Sequence, residues 1–188
     1  MDSLPSLQPS DCRYQAYYCE ENAWHLSQHP SLASWERNVV FLSNPTRSAV
    51  LWGQRAVPED QPIVWDYHVI VLARPPEGRW HIWDLDTRFG FPLLAANYLF
   101  QTFYGSENWP EEYRPMFRVT PVNLFVENFG SDRSHMLDEH GEYRQQPPPW
   151  PTIQNTSNTN TLASFINMQE DFVGDVMNLA EMKQYVAK

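Results

Sequence analysis

Residues 63–74, IVWDYHVIVLAR, leave the chain the least choice of fold. They are rich in β-branched and aromatic side chains, which suit a pleated, half-buried surface better than a helix. The breaker PPEG follows, then RWHIWDLD, so the two runs read as a hairpin of long antiparallel strands. With the turn centred on Pro76, Leu72 faces Trp80, Ile70 faces Ile82, and His68 stands directly opposite Asp84. A one-residue slip would send those last two side chains to opposite faces of the sheet. On this reading Asp66 points away from His68, while Asp86 shares the parity of Asp84 and becomes the partner if the turn is longer.

Other elements gather around this hairpin. The run CEENAWHLSQ, with acids in its first turn and Pro30 as a stop, predicts a helix that begins at Cys19. A second short helical stretch is expected at 32–36, then strands in NVVFLS and AVLWGQRAV on either side of an Asn44-Pro45 turn. FPLLAANYLFQTFY suits a buried helix, FRVT a strand and VNLFVENF a short helix. Residues 1–11, with Pro5 and Pro9, read as a loose arm, and 145–160 as a Pro/Asn/Thr-rich loop. Asn178, with Glu181 three residues on, has capping-box spacing for a last helix. The WD pairs at 65–66 and 83–84 are too close and too few for propeller blades. The expected architecture is one α+β domain over 1–188: an antiparallel sheet packed against an N-terminal helix that carries Cys19.

Charge narrows the partners. Thirteen Lys and Arg against 23 Asp and Glu give a net charge of -10, which repels a phosphate backbone and makes nucleic acid a poor partner. The same field favours cationic ligands, among them a peptide with a free terminal ammonium. No run approaches the roughly 18 apolar residues of a membrane span, and the first residues lack the basic and apolar regions of a secretory signal. A monomer in the cytoplasm, with the nucleus as a further location, is expected. In a reducing compartment Cys12 and Cys19 are free thiols rather than a bridge.

A cysteine at a helix N-terminus has a field that lowers its pKa and free N–H groups for an oxyanion. An imidazole in reach takes the thiol proton, and a carboxylate behind it fixes the tautomer. Cys19, His68 and Asp84 suit these roles, in the chain order of the papain and transglutaminase group. Alternatives stay open. Cys19 also reads as a small buried hydrophobe, His68 as a satisfied strand histidine and Asp84 as a strand-end acid. Cys19 with His25 and His29 suggests zinc, but a fourth ligand is missing. The PPPWP run suggests an adaptor that binds a proline-reading module. Cys12 reads as a bystander. Glu20 and Glu21 beside the nucleophile are candidates for binding a substrate ammonium, or else surface groups that complement the helix dipole. The 131–135 run, with Ser131, Asp132 and Ser134, is either pocket wall or a polar turn.

Five segments in order carry a resemblance: YCEEN at 18–22, WDYHV at 65–69, WDLDT at 83–87, FGSDRSHM at 129–136 and PPPWP at 147–151. Together they resemble the protein N-terminal glutamine amidohydrolase family over nearly the whole chain. The resemblance implies Cys19 as nucleophile, His68 as base and Asp84 as its orienter, with no metal or organic cofactor. It implies deamidation of N-terminal glutamine to glutamate with release of ammonia, a step that feeds the arginine branch of the N-degron pathway. The substrates would be proteins or peptides with a free N-terminal Gln. A cysteine protease or acyl-transferase on the same scaffold is the nearest alternative.

Overall fold

Two apolar runs without polar alternation, NVVFL and HVIVLA, are buried on both faces, and this sets the layering. The computed structural model describes residues 4–188. Its elements are α1 (Cys19–Ser27), β1 (Glu36–Ser43), β2 (Ala49–Leu51), β3 (Ile63–Trp65), β4 (His68–Arg74), β5 (His81–Trp83), β6 (Leu93–Leu94), α2 (Ala95–Thr102), β7 (Met116–Pro121), α3 (Val122–Asn128), α4 (Leu162–Ile166), β8 (Asp175–Asn178) and α5 (Leu179–Val186). Six strands form one sheet in the order β6-β5-β4-β1-β7-β8, with each pairing antiparallel; β2 and β3 form a separate two-stranded sheet. The fold is α+β.

Odd-numbered residues of the central strands, Val39, Phe41, Val69 and Val71, pack with Leu26 of α1, Phe125 of α3 and Phe165 of α4. Even-numbered ones, Val40, Leu42, Ile70 and Leu72, pack with Tyr98 and Leu99 of α2 and Met182 of α5. Period-two alternation thus feeds two cores from the same strands. Each fully buried Val, Leu or Ile side chain contributes about 1.5–3 kcal/mol of transfer free energy. Buried Arg118 of β7 donates to the carbonyls of Phe165, Asn167, Glu170, Phe172 and Val173, so one cation supplies the donors that the irregular segment after α4 needs. Among the described residues no helix is long and apolar enough to cross a membrane.

Several expectations change. The run 63–74 is two strands in two sheets rather than one long strand. AVLWGQRAV contributes strand only at Ala49–Leu51. The second helical stretch is a 3-10 turn at Pro30–Leu32, and Glu36 already begins β1. Residues 1–3 of the expected loose arm lie outside the described residues. The rest is anchored, since Leu7 is 3% exposed in the core and Pro9–Asp11 form a 3-10 turn. The hairpin register is Val71↔Trp83, Leu72↔Ile82 and Ala73↔His81, two residues beyond the expected pairing. A turn closed by Gly78 N–H on Pro75 C=O at 3.0 Å, with Glu77 in the left-handed region, accounts for the shift. A shift of two leaves every side chain on its expected face.

Candidate active site

Cys19 is the first residue of α1 and is half-buried on the wall of a cavity of about 840 Å³. Its N–H belongs to the first-turn donors that have no acceptor within the helix. The facing wall comes from the break between β3 and β4. There the Ser43 hydroxyl donates to the Asp66 carbonyl at 2.5 Å, and Tyr67 N–H donates to Asp66 Oδ1 at 3.0 Å. These local bonds replace ladder bonds and end the alternation, so Asp66, Tyr67 and His68 all line the cavity. The break is what brings Tyr67 to the wall; the expectation that Asp66 points away from His68 fails because residues two apart along a strand share a face.

His68 Nε2–H donates to Asp84 Oδ1 at 3.0 Å, and each residue is 2% exposed. The same oxygen accepts the Asp86 N–H at 2.9 Å. Asp84 Oδ2 accepts the Tyr98 hydroxyl at 2.8 Å and the Gln54 amide at 3.1 Å. Four donors therefore occupy the acceptor capacity of one buried carboxylate. Trp65 stacks parallel to the His68 ring, with centroids 6.5 Å apart. Asp86, the rival partner of His68, accepts the Tyr14 hydroxyl at 2.6 Å instead and lines the cavity beside Arg55.

Electrostatics follow from burial and pairing. Burial opposes a charge on His68, yet the charge and hydrogen bond of Asp84 outweigh it and lift the imidazole above its ordinary value. Burial likewise pushes Asp84 up, but His68 and the surrounding donors bring it below the usual carboxylate range. Burial lifts Asp86 above that range, and Asp84 adds to the lift. Burial also pushes the Cys19 thiol well up, with Glu20 and Asp86 adding to the shift and the Val69 backbone N–H opposing it. Burial thus overrides the expected acidification of Cys19 by the helix terminus and favours the neutral thiol.

Glu20 and Glu21 are both fully buried, so neither is a surface group complementing the dipole. Glu21 takes Arg133 through both oxygens, at 2.7 and 2.8 Å, and Trp150 Nε1–H at 2.6 Å. With these three donors it holds α1 to the loops, and neither partner lines the cavity. Glu20 Oε2 accepts the Tyr67 hydroxyl at 3.0 Å and the Cys19 thiol at 3.7 Å. Glu20 Oε1 has His135 Nε2 at 3.5 Å and no hydrogen-bond donor.

The 131–135 run divides. Ser134 and His135 line the cavity. Ser131 is 2% exposed and pairs in a β-bridge with Ile153, away from the wall. Asp132 accepts the Ser134 N–H at 2.9 Å and Asn160 Nδ2–H at 2.6 Å, positioning two lining residues without being one. Its local bonds hold its carboxyl below the usual range. A Cβ on Gly130 would collide with the Thr159 carbonyl, so the absent side chain lets this run dock on the 155–161 loop. Tyr14, Tyr17, Arg47, Arg55, Arg144 and Asn160 also line the cavity without having been singled out from sequence. They come from loops with no periodicity, and only the folded chain gathers them.

Among the described residues, one set of atoms can reach a common ion: those of His68, Asp84 and Asp86, within 4.8 Å of one another. The hydrogen bonds already given account for that closeness. Cys19, His25 and His29 form no such set, because the His25 ring is stacked edge-on between Trp24 and Trp150 and His29 Nδ1 accepts the Ser31 N–H. Trp150 of the PPPWP run is likewise engaged within the chain, by Glu21 and His25.

The sequence profile described as N-terminal glutamine amidase matches residues 14–186. The protein N-terminal glutamine amidohydrolase of Homo sapiens is 38% identical over 169 residues, covering 87% of this chain and 82% of that protein. That of Bos taurus is 37% identical over 172 residues, covering 89% and 83%. The Danio rerio protein of the same name is 33% identical over 183 residues, covering 94% and 90%.

Proposed function

The chain belongs to the N-terminal glutamine amidase family, and on that premise we propose that it hydrolyses the side-chain amide of N-terminal glutamine in peptides or proteins by a thiol mechanism. The observation that carries the mechanism is a cysteine on a helix N-terminus sharing one cavity with an imidazole already bonded to a saturated carboxylate. As Sγ of Cys19 adds to the γ-carboxamide carbon, its proton passes to Nδ1 of His68, the nitrogen left free by the Asp84 bond. Asp84 stabilises the imidazolium that forms. The Cys19 N–H donates to the oxyanion. Collapse of the tetrahedral adduct breaks the C–N bond, and the imidazolium proton leaves on ammonia. Water, deprotonated by His68, then hydrolyses the γ-thioester to give glutamate and the free thiol.

A thiol that burial holds neutral suits this order of events, because the proton moves during attack rather than before it. The helix, sheet and order of the three residues support a papain- or transglutaminase-like arrangement. An N-terminal glutamate formed this way feeds the arginine branch of the N-degron pathway, and two free thiols suit a cytoplasmic or nuclear monomer.

Mass spectrometry of a Gln-initiated peptide tests the reading. We expect a gain of about one dalton, an amide NH₂ replaced by OH, with one ammonia per turnover and no change in the N-acetylated peptide. Cleavage of the backbone, or equal action on the acetylated peptide, favours a protease or acyl-transferase. An intact free-amine peptide after incubation with folded protein rejects the proposal.

A further inference from the structure

The cavity holds a second imidazole–carboxylate pair, and its chemistry differs from that of His68 and Asp84. Glu20 is fully buried at the end of α1 beside Cys19. Tyr67 and His135 line the cavity, and Glu20 lies behind them. Tyr67 Oη is 3.0 Å from Glu20 Oε2 and 3.3 Å from His135 Nε2, which is 3.5 Å from Glu20 Oε1. A carboxylate only accepts, so the Tyr67 hydroxyl turns its hydrogen toward Glu20, and the His135 Nε2–H then points at the Tyr67 oxygen with Glu20 Oε1 beyond hydrogen-bond geometry. What they have left to offer is lone pairs: the remaining one of the Tyr67 oxygen and, with the proton on Nε2, that of His135 Nδ1.

Two further observations mark the corner as incomplete. Glu20 Oε1 and His135 Nδ1 are both buried without a hydrogen-bond partner. Such atoms are costly unless something supplies donors. Burial and the Glu20 charge push the Tyr67 phenol well up, so its hydroxyl stays intact and its hydrogen stays on Glu20. Tyr67 is for that reason a poor oxyanion donor. Acceptors backed by a buried negative charge call for a compact cation with several N–H donors.

We propose that Tyr67 and His135 bind the α-ammonium of the substrate, and that Glu20 is the positioning residue that takes the Tyr67 hydrogen and so, through Tyr67, turns both of them into acceptors. The proposal rests on the N-terminal glutamine reading of this cavity. The α-nitrogen of a glutamine is separated from its carboxamide carbon only by Cα, Cβ and Cγ. A receptor that shares a carboxylate with the nucleophile, at 3.7 Å from the thiol, is therefore on the right scale. A peptide with an acetylated terminus brings a carbonyl and a single N–H to this corner, and loses both charge and donors. The other cavity acids are less suited. Asp86 holds the Tyr14 hydroxyl next to Arg55, and Asp66 holds the Tyr67 N–H.

The test needs no turnover. A Glu-initiated product peptide, free or N-acetylated, is titrated against the protein by tryptophan fluorescence. Wild type should bind the free amine about 10–100-fold more tightly, the range of a charge-assisted hydrogen bond. In Glu20→Gln and Tyr67→Phe that ratio should fall to about threefold or less, while affinity for the acetylated peptide stays unchanged, as a general loss of folding would not allow. Asp86→Asn should keep the ratio. Should Glu20→Gln fail to fold, Tyr67→Phe, which removes one hydroxyl, still decides. A ratio near one in wild type, a ratio preserved in both variants, or a collapse in Asp86→Asn alone overturns the proposal. A wild type that discriminates, with the loss in the variants, but never releases ammonia supports the receptor and removes the enzymatic reading.

Discussion

Asp84 and Glu20 stand behind the wall of the same cavity, both buried and each beside a histidine that lines it, yet one carboxylate is saturated and the other is not. Asp84 accepts from His68, Asp86 N–H, Tyr98 and Gln54. Glu20 has one strong donor, Tyr67, the weak thiol, and an oxygen without a donor. The difference separates holding from receiving. A carboxylate with all its lone pairs occupied fixes the orientation of its neighbours and has nothing left for a ligand. One with spare capacity is completed by what binds. Glu21 sharpens the point, since it adjoins Glu20 in sequence yet has donors on both oxygens, from Arg133 and Trp150.

The largest effect should come from breaking the saturated side. Asp84→Asn is expected to lower kcat by about 10⁴-fold, because the amide no longer fixes the imidazole tautomer or its charge. The pH dependence carries a sign. In the proposed mechanism His68 must be neutral to act as base, and Asp84 raises its pKa, so wild-type kcat/KM should rise with pH through a value above the ordinary ~6.5 of imidazole. In Asp84→Asn the residual activity should rise at lower pH. Stability follows the same linkage. The contribution of Asp84, held low in the folded chain, is present above its unfolded value of ~3.9 and lost as pH falls through the folded one. That of His68, held high, is present below ~6.5 and lost as pH rises through its folded value. Urea midpoints against pH should show both limbs in wild type and neither in the variant. An unmoved acid limb of activity would separate Asp84 from the base.

Next in size is Glu21→Gln, which leaves the Arg133 guanidinium buried beside a neutral amide. Breaking such a buried pair costs about 3–5 kcal/mol, read as a lower urea midpoint. The free-amine preference in product binding should survive as long as the chain is folded. Loss of that preference with unchanged stability would erase the distinction between neighbouring glutamates. The smallest effect is the control in water. The Asn178 side chain accepts the Ala180 and Glu181 N–H groups, and Glu181 returns a bond to the Asn178 N–H, all at the surface. Asn178→Ala should cost about 1 kcal/mol and leave turnover alone. A value as large as that of Glu21→Gln would mean that burial is not what magnifies a missing partner.

Much of the sheet and the His68–Asp84 pair was legible in the residues. Period-two patterning assigned faces, so the pair survived a register two residues off, whereas a register error of one would have destroyed it. The capping box at Asn178 and the helix beginning at Cys19 were equally local signals. The pieces without periodicity were not legible. α4 and β8, of five and four residues, are too short to show a period. The break at Asp66 depends on a hydroxyl from Ser43 on another strand. Ser131 and Ser134 look alike in sequence, yet only one reaches the wall.

The sequence by itself determined where chain segments bury their apolar faces, because side-chain alternation and helix caps act over a few residues. Only the tertiary structure decided which buried charges are satisfied, because the partners of Glu20 and Glu21 come from residues 67, 133, 135 and 150. Hydrogen-bond saturation and desolvation are sums over neighbours in space. For this reason the buried thiol and the donor-poor carboxylate beside it were invisible until the chain was folded.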